Sequence, residues 1–262
     1  MGVSSPWISL EDGLGTLEVA RSSAFLHGLS AFTTVRVQNG VPLLWNKHLE
    51  RLKGTCALLE LPEPSEIEHL EHISNIALDE ALYRLTVTLE RSYGLYRPLE
   101  TASLGPVTVW LSDLQVHNQL GAHKTGNYLP YALAAREAER QNCFEALLKR
   151  GSSHVVDGSR SALLLEHRGH FIVPQGGLPS VTRDAFLEIH GPGLLDPNLP
   201  DSKTVLEQSI TLSELRGADH IWLLGSGLGM RAVSEVRWHS GQMNFEVKAF
   251  ENLEPPFLPP GT

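Results

Sequence analysis

The chain has 262 residues, a net charge of −9 and a sequence pI of about 5.7. Its 42% apolar and 19% charged residues fit one large or two ordinary globular domains and argue against disorder. The acidic balance without a long basic run speaks against a nucleic-acid or anionic-membrane surface. No apolar run approaches a membrane span and no signal-peptide pattern opens the chain, so a cytoplasmic protein is expected.

In chain order, residues 7–20 suit one or two edge strands. Ala31 to Val37 is β-branched and aromatic, Asn39-Gly40 makes a tight turn, and Val41 to Trp45 returns, which predicts a hairpin. Asn46 reads as an N-cap. Leu49, Leu52, Cys56 and Leu59 then recur at helical spacing over residues 47–60, where His48 and Arg51 share a face that reads as solvated. Pro62-Glu63-Pro64 stops that helix, and residues 65–80 predict a second one. Tyr83–Leu89 alternates as a strand, Arg91–Pro98 reads as a loop and Val107–Leu111 as a strand. The first half is an α+β layer.

Periodicity fades over residues 112–123, which places a domain junction there: a smaller N-terminal α+β domain at 1–115 and a larger C-terminal domain at 116–262. An Ala-rich helix is predicted over 128–142, strands over 144–148 and 154–158, and a hairpin around Arg168-Gly169. A helix over 180–190, a Gly/Pro-rich loop over 191–203 and a helix capped by Thr211 or Ser213 follow. Then come a buried strand over 220–224, a Gly/Ser loop over 225–229 and a frayed tail over 254–262. Cys56 and Cys143 read as buried thiols rather than a disulfide.

Lys124, one of six lysines, precedes Thr125-Gly126-Asn127-Tyr128 and a helix. Taken alone it reads as a surface lysine at a helix start. Its company changes that reading. A carboxylate lies at Asp157, which alone fits a turn residue before Gly158 equally well. A turn enters a helix at Leu178-Pro179-Ser180-Val181-Thr182-Arg183, and Gly225-Ser226-Gly227-Leu228-Gly229 makes a loop. An amine nucleophile, a carboxylate and two phosphate-sized amide nests are what a protein needs to hold pyridoxal 5'-phosphate. No metal site is expected.

Five separated blocks, over about residues 21–240, resemble the class IV aminotransferase family of pyridoxal-phosphate enzymes. That family includes branched-chain and D-amino-acid aminotransferases and 4-amino-4-deoxychorismate lyase. The resemblance implies a two-domain α+β / α/β fold, fold-type IV and D-amino-acid aminotransferase-like, with the cofactor between the domains. The first block is Phe32-Thr33-Thr34-Val35-Arg36-Val37 with Asn39-Gly40. The second, His48-Leu49-Glu50-Arg51-Leu52, is similar to H-x-x-R-L and implies that Arg51 binds the cofactor phosphate. The third, Lys124-Thr125-Gly126-Asn127-Tyr128-Leu129, implies Lys124 as Schiff-base lysine and Tyr128 as partner of the phenolic oxygen. The fourth is similar to L-P-G-I-T-R: Leu178 would pack on the pyridine ring, while Val181 and Thr182 would serve the phosphate. The fifth implies phosphate contacts from Ser226 and Gly227, and Asp157 would keep the pyridine nitrogen protonated.

The chain departs from the family's pattern where Glu-Gly reads Asp157-Gly158, where an Asn reads Ala162, where G-D-G reads Gly28-Leu29-Ser30 and where a Gly reads Ser180. Aminotransferases of the family often have Glu at the position of Thr33. Phe32-Thr33-Thr34 and Ser226-Gly227-Leu228-Gly229-Met230 look more like the lyase members. The resemblance therefore implies a lyase that converts 4-amino-4-deoxychorismate to 4-aminobenzoate and pyruvate in folate biosynthesis. A class IV aminotransferase for a D- or branched-chain amino acid is the alternative, and a catalytically decayed member the third reading. Phe32, Thr34, Arg91 and Tyr93, with Arg97, are candidates for substrate contact, although the three of these in 91–97 also fit a solvated loop. A homodimer acting on a small molecule is implied.

Overall fold

The structure is a computed structural model describing residues 8–9, 21–100, 105–191, 204–250 and 253–260. The early-strand reading for residues 7–20 falls mostly outside these. So does the loop at 191–203, apart from its first residue.

The described chain divides into two compact units: residues 1–102, 123–128 and 260–262 form the first, and 103–122 with 129–259 the second. The strand Val107–Gln115, assigned from sequence to the N-terminal domain, pairs with strands of the second unit. Residues 123–128 instead join the first unit, where Phe32 N donates to Lys124 O at 2.9 Å and Ala31 bridges Thr125.

The first unit is a five-stranded antiparallel sheet with helices. Its strands are β1 (Ile8–Ser9), β2 (Ala31–Gln38), β3 (Val41–Pro42), β4 (Glu80–Val87) and β5 (Ser92–Pro98), in the order β1-β5-β4-β2-β3. Its helices are α1 (Ser23–His27), α2 (Trp45–Leu58) and α3 (Glu66–Ser74). Asn39 and Gly40 both take positive φ, 49° and 74°, as the tight β2–β3 turn demands. One sheet face buries Ala31, Val35, Val37, Tyr83 and Leu85 with Trp45, Leu49, Leu52 and Cys56 of α2. Each of the larger side chains among them, such as Val35, Leu49 and Leu52, contributes about 1.5–3 kcal/mol by leaving water.

Three sequence expectations change here. The helix starts at Trp45 with Leu44 as a left-handed N-cap (φ 57°), so Asn46 lies inside it. Burial of Trp45, whose Nε1 donates to Glu66 Oε1 at 2.9 Å, draws the start forward. The second helix ends at Ser74, where the Asn75 amide turns back onto Glu71 O at 2.9 Å. Residues 92–98 are a strand rather than a loop. Gly94 makes the pairing possible, because a side chain there would strike the Tyr83 hydroxyl.

The second unit is a mixed sheet. Its strands are β6 (Val107–Gln115), β7 (Glu145–Arg150), β8 (His154–Gly158), β9 (Ala162–His167), β10 (His170–Pro174), β11 (Val205–Gln208), β12 (Ile210–Thr211), β13 (His220–Gly225), β14 (Gly229–Trp238) and β15 (Gly241–Asn244). The order is β11-β10-β9-β13-β14-β6-β7-β8-β12, with β15 on β14. The helices are α4 (Leu129–Arg140), α5 (Val181–His190) and α6 (Leu212–Arg216). β6 and β7 are parallel, which requires a crossover, and α4 supplies it. Thr211 caps α6 in a reciprocal capping box with Glu214. The core joins Val109, Leu111, Leu147, Leu163, Leu223, Val233 and Val236.

The tail does not fray over its described residues. Phe257 is buried beside Phe186 at 5.7 Å, and its carbonyl accepts from Met230 N at 2.8 Å. Both cysteines are free and buried. Among the described residues no helix is long and apolar enough to cross a membrane. Together the two units make an α+β two-domain fold.

Candidate active site

In the first unit Lys124 follows residues 117–121, and its carbonyl is taken by β2. Its Nζ lies 3.3 Å from the Tyr128 hydroxyl, 4.8 Å from the Phe32 ring centre and 4.9 Å from that of Tyr128. The two rings meet edge to face at 5.2 Å. Gly126 lets the chain turn this tightly, since a side chain there would enter Ser30 Oγ and Gly28 O.

The Phe32 ring also carries Arg84, whose guanidinium carbon is 3.5 Å from its centre. Register explains this: Thr34 faces Arg84 and Phe32 faces Thr86, so all four lie on the sheet face opposite α2. Tyr93 faces Thr86 and joins that face, whereas Arg91 is exposed over the Tyr93 ring at 4.9 Å. Burial lowers the Arg84 pKa to about 10, an effect partly offset by Tyr128. Arg84 Nε donates to Thr86 Oγ1 at 3.3 Å, and among the described residues no carboxylate pairs with this guanidinium. Sequence reading missed Arg84. The signal was its parity within the alternating strand, opposite to Tyr83 and Leu85.

The face of α2 read as solvated is not. His48 is 3% exposed and Arg51 half-buried. Arg51 Nη2 donates to Thr33 Oγ1 at 3.1 Å, and His48 Nδ1 lies 2.9 Å from the same oxygen. Burial, then the charges of Arg51 and Lys124, hold the His48 pKa well below 6.5.

In the second unit Asp157 is buried at the end of β8. Its Oδ1 accepts from Gly158 N at 3.1 Å and its Oδ2 from Leu178 N at 3.2 Å, which ties the carboxylate to the predicted leucine. The turn after it hangs on Glu145, a fully buried carboxylate that accepts from Arg160 N, Ser161 N and Ser161 Oγ at 2.5, 2.8 and 2.9 Å. Burial raises the Glu145 pKa against these donors. A Cβ at Gly158 would lie 2.5 Å from Glu145 Oε1, so the turn needs glycine. Sequence reading missed Glu145 because its partners lie fifteen and sixteen residues away.

Ser180, which stands where the family's pattern has Gly, caps α5 by accepting from Arg183 N at 3.2 Å. Val181 and Thr182 occupy the first turn, both buried. Ser226 and Gly227 sit half-buried in the β13–β14 turn, closed by Leu228 N on Gly225 O at 3.1 Å.

The profile of the amino-transferase class IV family matches residues 30–236. The chain belongs to that family. Class IV aminotransferases use pyridoxal phosphate. Each unit carries donors that suit that cofactor: in the first, an amine held by a phenol and a half-buried arginine; in the second, a buried carboxylate held by two amides and a capped helix start with a threonine in its first turn. A solved structure provisionally named 4-amino-4-deoxychorismate lyase is 35% identical, with a TM-score of 0.73, covering 80% of this chain and 86% of that one. The aminodeoxychorismate lyase of Vibrio harveyi is 21% identical over 86% of this chain and 89% of that protein. A protein of Methanocaldococcus jannaschii provisionally named branched-chain-amino-acid aminotransferase is 25% identical over 83% of each. This class IV chain thus resembles both lyases and aminotransferases.

Proposed function

We propose that this class IV enzyme is a lyase that converts 4-amino-4-deoxychorismate to 4-aminobenzoate and pyruvate, a step toward folate, as a cytoplasmic homodimer. The observation that carries the reading is the pairing of Lys124 and Arg84 on the Phe32 ring. It sets a reactive amine near a guanidinium without a carboxylate partner among the described residues. A substrate bearing carboxylates supplies that partner. The 35% identity to a structure provisionally named as this lyase supports the choice.

When bound, pyridoxal phosphate supplies an electron sink for the carbon attached to the substrate nitrogen. Lys124 would hold the cofactor through its amine and would serve as the base that moves a proton of the substrate. It takes the proton from the ring carbon bearing the nitrogen. The carbon–oxygen bond to the enolpyruvyl group then breaks, the ring becomes aromatic, and the proton ends on the pyruvate methyl group. Nothing else is consumed. Tyr128 steadies the amine and would help hold the cofactor. Asp157, held by its two amide donors, would serve the cofactor's ring nitrogen. Arg51, Val181, Thr182, Ser226 and Gly227 would serve the phosphate, and Leu178 would pack the ring. Arg84 orients a substrate carboxylate, with Thr34 and Tyr93 on the same sheet face.

The test is to incubate the cofactor-loaded protein with 4-amino-4-deoxychorismate and measure both products. Equal amounts of pyruvate and 4-aminobenzoate, abolished in Lys124→Ala, are expected. Amino-group exchange between an amino acid and a 2-oxo acid, without pyruvate release, would replace the lyase with the aminotransferase reading. The likeness to the Methanocaldococcus jannaschii protein favours that second reading. Failure of the protein to take up cofactor would select the decayed member. Sedimentation as a monomer at micromolar concentration would remove the homodimer.

A further inference from the structure

Thr33 stands on the α2-covered face of β2, 1% exposed, between two side chains of the same helix. A guanidinium only donates, so Thr33 Oγ1 accepts from Arg51. A hydroxyl has one proton, and His48 Nδ1 lies 2.9 Å away to receive it. His48 is 3% exposed and flanked by the Arg51 and Lys124 charges, which favours the neutral ring. Only with Nδ1 as acceptor is the buried hydroxyl's proton used, which places the imidazole proton on Nε2.

We propose that Thr33 and His48 are positioning residues for Arg51: the hydroxyl, its proton committed to His48, fixes the direction of the guanidinium without cancelling its charge. A carboxylate in the same place would orient Arg51 equally well but would pair with it and spend that charge. A hydroxyl at this contact takes none of that charge. The proposal rests on the reading above, in which Arg51 binds the cofactor phosphate.

The experiment uses the full-length protein stripped of cofactor and titrates it with pyridoxal phosphate and, separately, with pyridoxal. The two probes share the ring and aldehyde and differ in the phosphate, so the ratio of their affinities reads the phosphate site alone. Wild type is expected to prefer the phosphorylated probe strongly. Thr33→Val is expected to bind pyridoxal phosphate roughly tenfold more weakly, the worth of one hydrogen bond to a charged group, with pyridoxal unchanged. Thr33→Ser restores the preference to within about twofold of wild type, because it returns the same oxygen. His48→Asn, which offers an amide oxygen near the Nδ1 position, keeps most of the preference, and His48→Leu loses it as Thr33→Val does.

An unchanged preference in both Thr33→Val and His48→Leu overturns the positioning role while leaving the cofactor site intact. Equal weakening of both probes does the same, since it marks a structural rather than a phosphate-directed effect. If wild type shows no preference, or Arg51→Gln does not abolish it, the assignment of Arg51 fails and the proposal falls with it.

Discussion

The Lys124 amine and the Tyr128 hydroxyl, four residues apart in one short stretch, lie 3.3 Å from each other. The amine is therefore held rather than swinging free, and its charge lies against two aromatic rings. Lys124→Ala is expected to lower product formation by at least about 10³-fold, combining loss of the nucleophile and of the base. Tyr128→Phe removes one hydrogen bond and keeps the ring on Phe32, so a loss of roughly tenfold is expected. Steady-state pyruvate release from both variants checks this, and equal losses in the two would contradict the separate roles.

Asp157 reaches Gly158 N and Leu178 N through its two oxygens. Asp157→Asn keeps the shape and an acceptor but removes the charge. Cofactor affinity is expected to stay within a few-fold, while kcat falls on the order of 10²-fold, as when one preorganised charge at the reacting centre is lost. A thermal melt within a few degrees of wild type would show that the turn held on Glu145 has not moved.

Arg84 is stacked on Phe32 and lacks a carboxylate partner among the described residues. Arg84→Met keeps the stem on the ring and removes the cation. KM for an acidic substrate is expected to rise by roughly ten- to a hundredfold, the range for a hydrogen bond between charged groups. Cofactor uptake is expected to be unchanged, and a variant with wild-type KM would remove Arg84 from the substrate site.

His69 is buried between two hydroxyls, with Nδ1 2.6 Å from Tyr83 Oη and Nε2 2.8 Å from Ser92 Oγ. A neutral ring satisfies both, donating to one and accepting from the other. Burial, then the charge of His72, lowers its pKa from 6.5 to about 4. The unfolded chain therefore takes up the proton first. Stability is unaffected by this group above pH 6.5 and falls as the pH drops from 6.5 to about 4. The full loss is on the order of 3 kcal/mol. His48 titrates in the same direction. Comparing denaturation midpoints of wild type and His69→Gln at pH 7 and pH 4.5 isolates the His69 share. The variant is expected to be less stable at pH 7 and to have a flatter pH dependence.

What the sequence revealed were features set by neighbours in the chain. Asn39-Gly40 and Arg168-Gly169 carry their turns in their own φ angles. The helical spacing of Leu49, Leu52 and Cys56 needs only one apolar face. The features that escaped depend on distant partners. The burial of His48 follows from Thr33, fifteen residues back. The start of α2 follows from Trp45 finding Glu66. β5 read as a loop because its Arg and Tyr content looked solvated, whereas Gly94 is set there to admit Tyr83. Lys124, Asp157 and Thr182 were found as motif residues, but Arg84 and Glu145 carry no motif and appear only once register and burial are known.

β6 sits between β7 and β14, and Thr108 Oγ1 donates to Glu235 Oε2 across 127 residues of chain. A ribosome making this protein releases β2, β4 and β5 within one short interval. The middle of the second sheet, by contrast, must wait for nearly the whole message to be read. Until residues 229–238 emerge, β6 offers an open, apolar edge to any neighbouring strand. Chains cut short before β14, or produced faster than chaperones can cover that edge, are the ones that will accumulate in inclusion bodies.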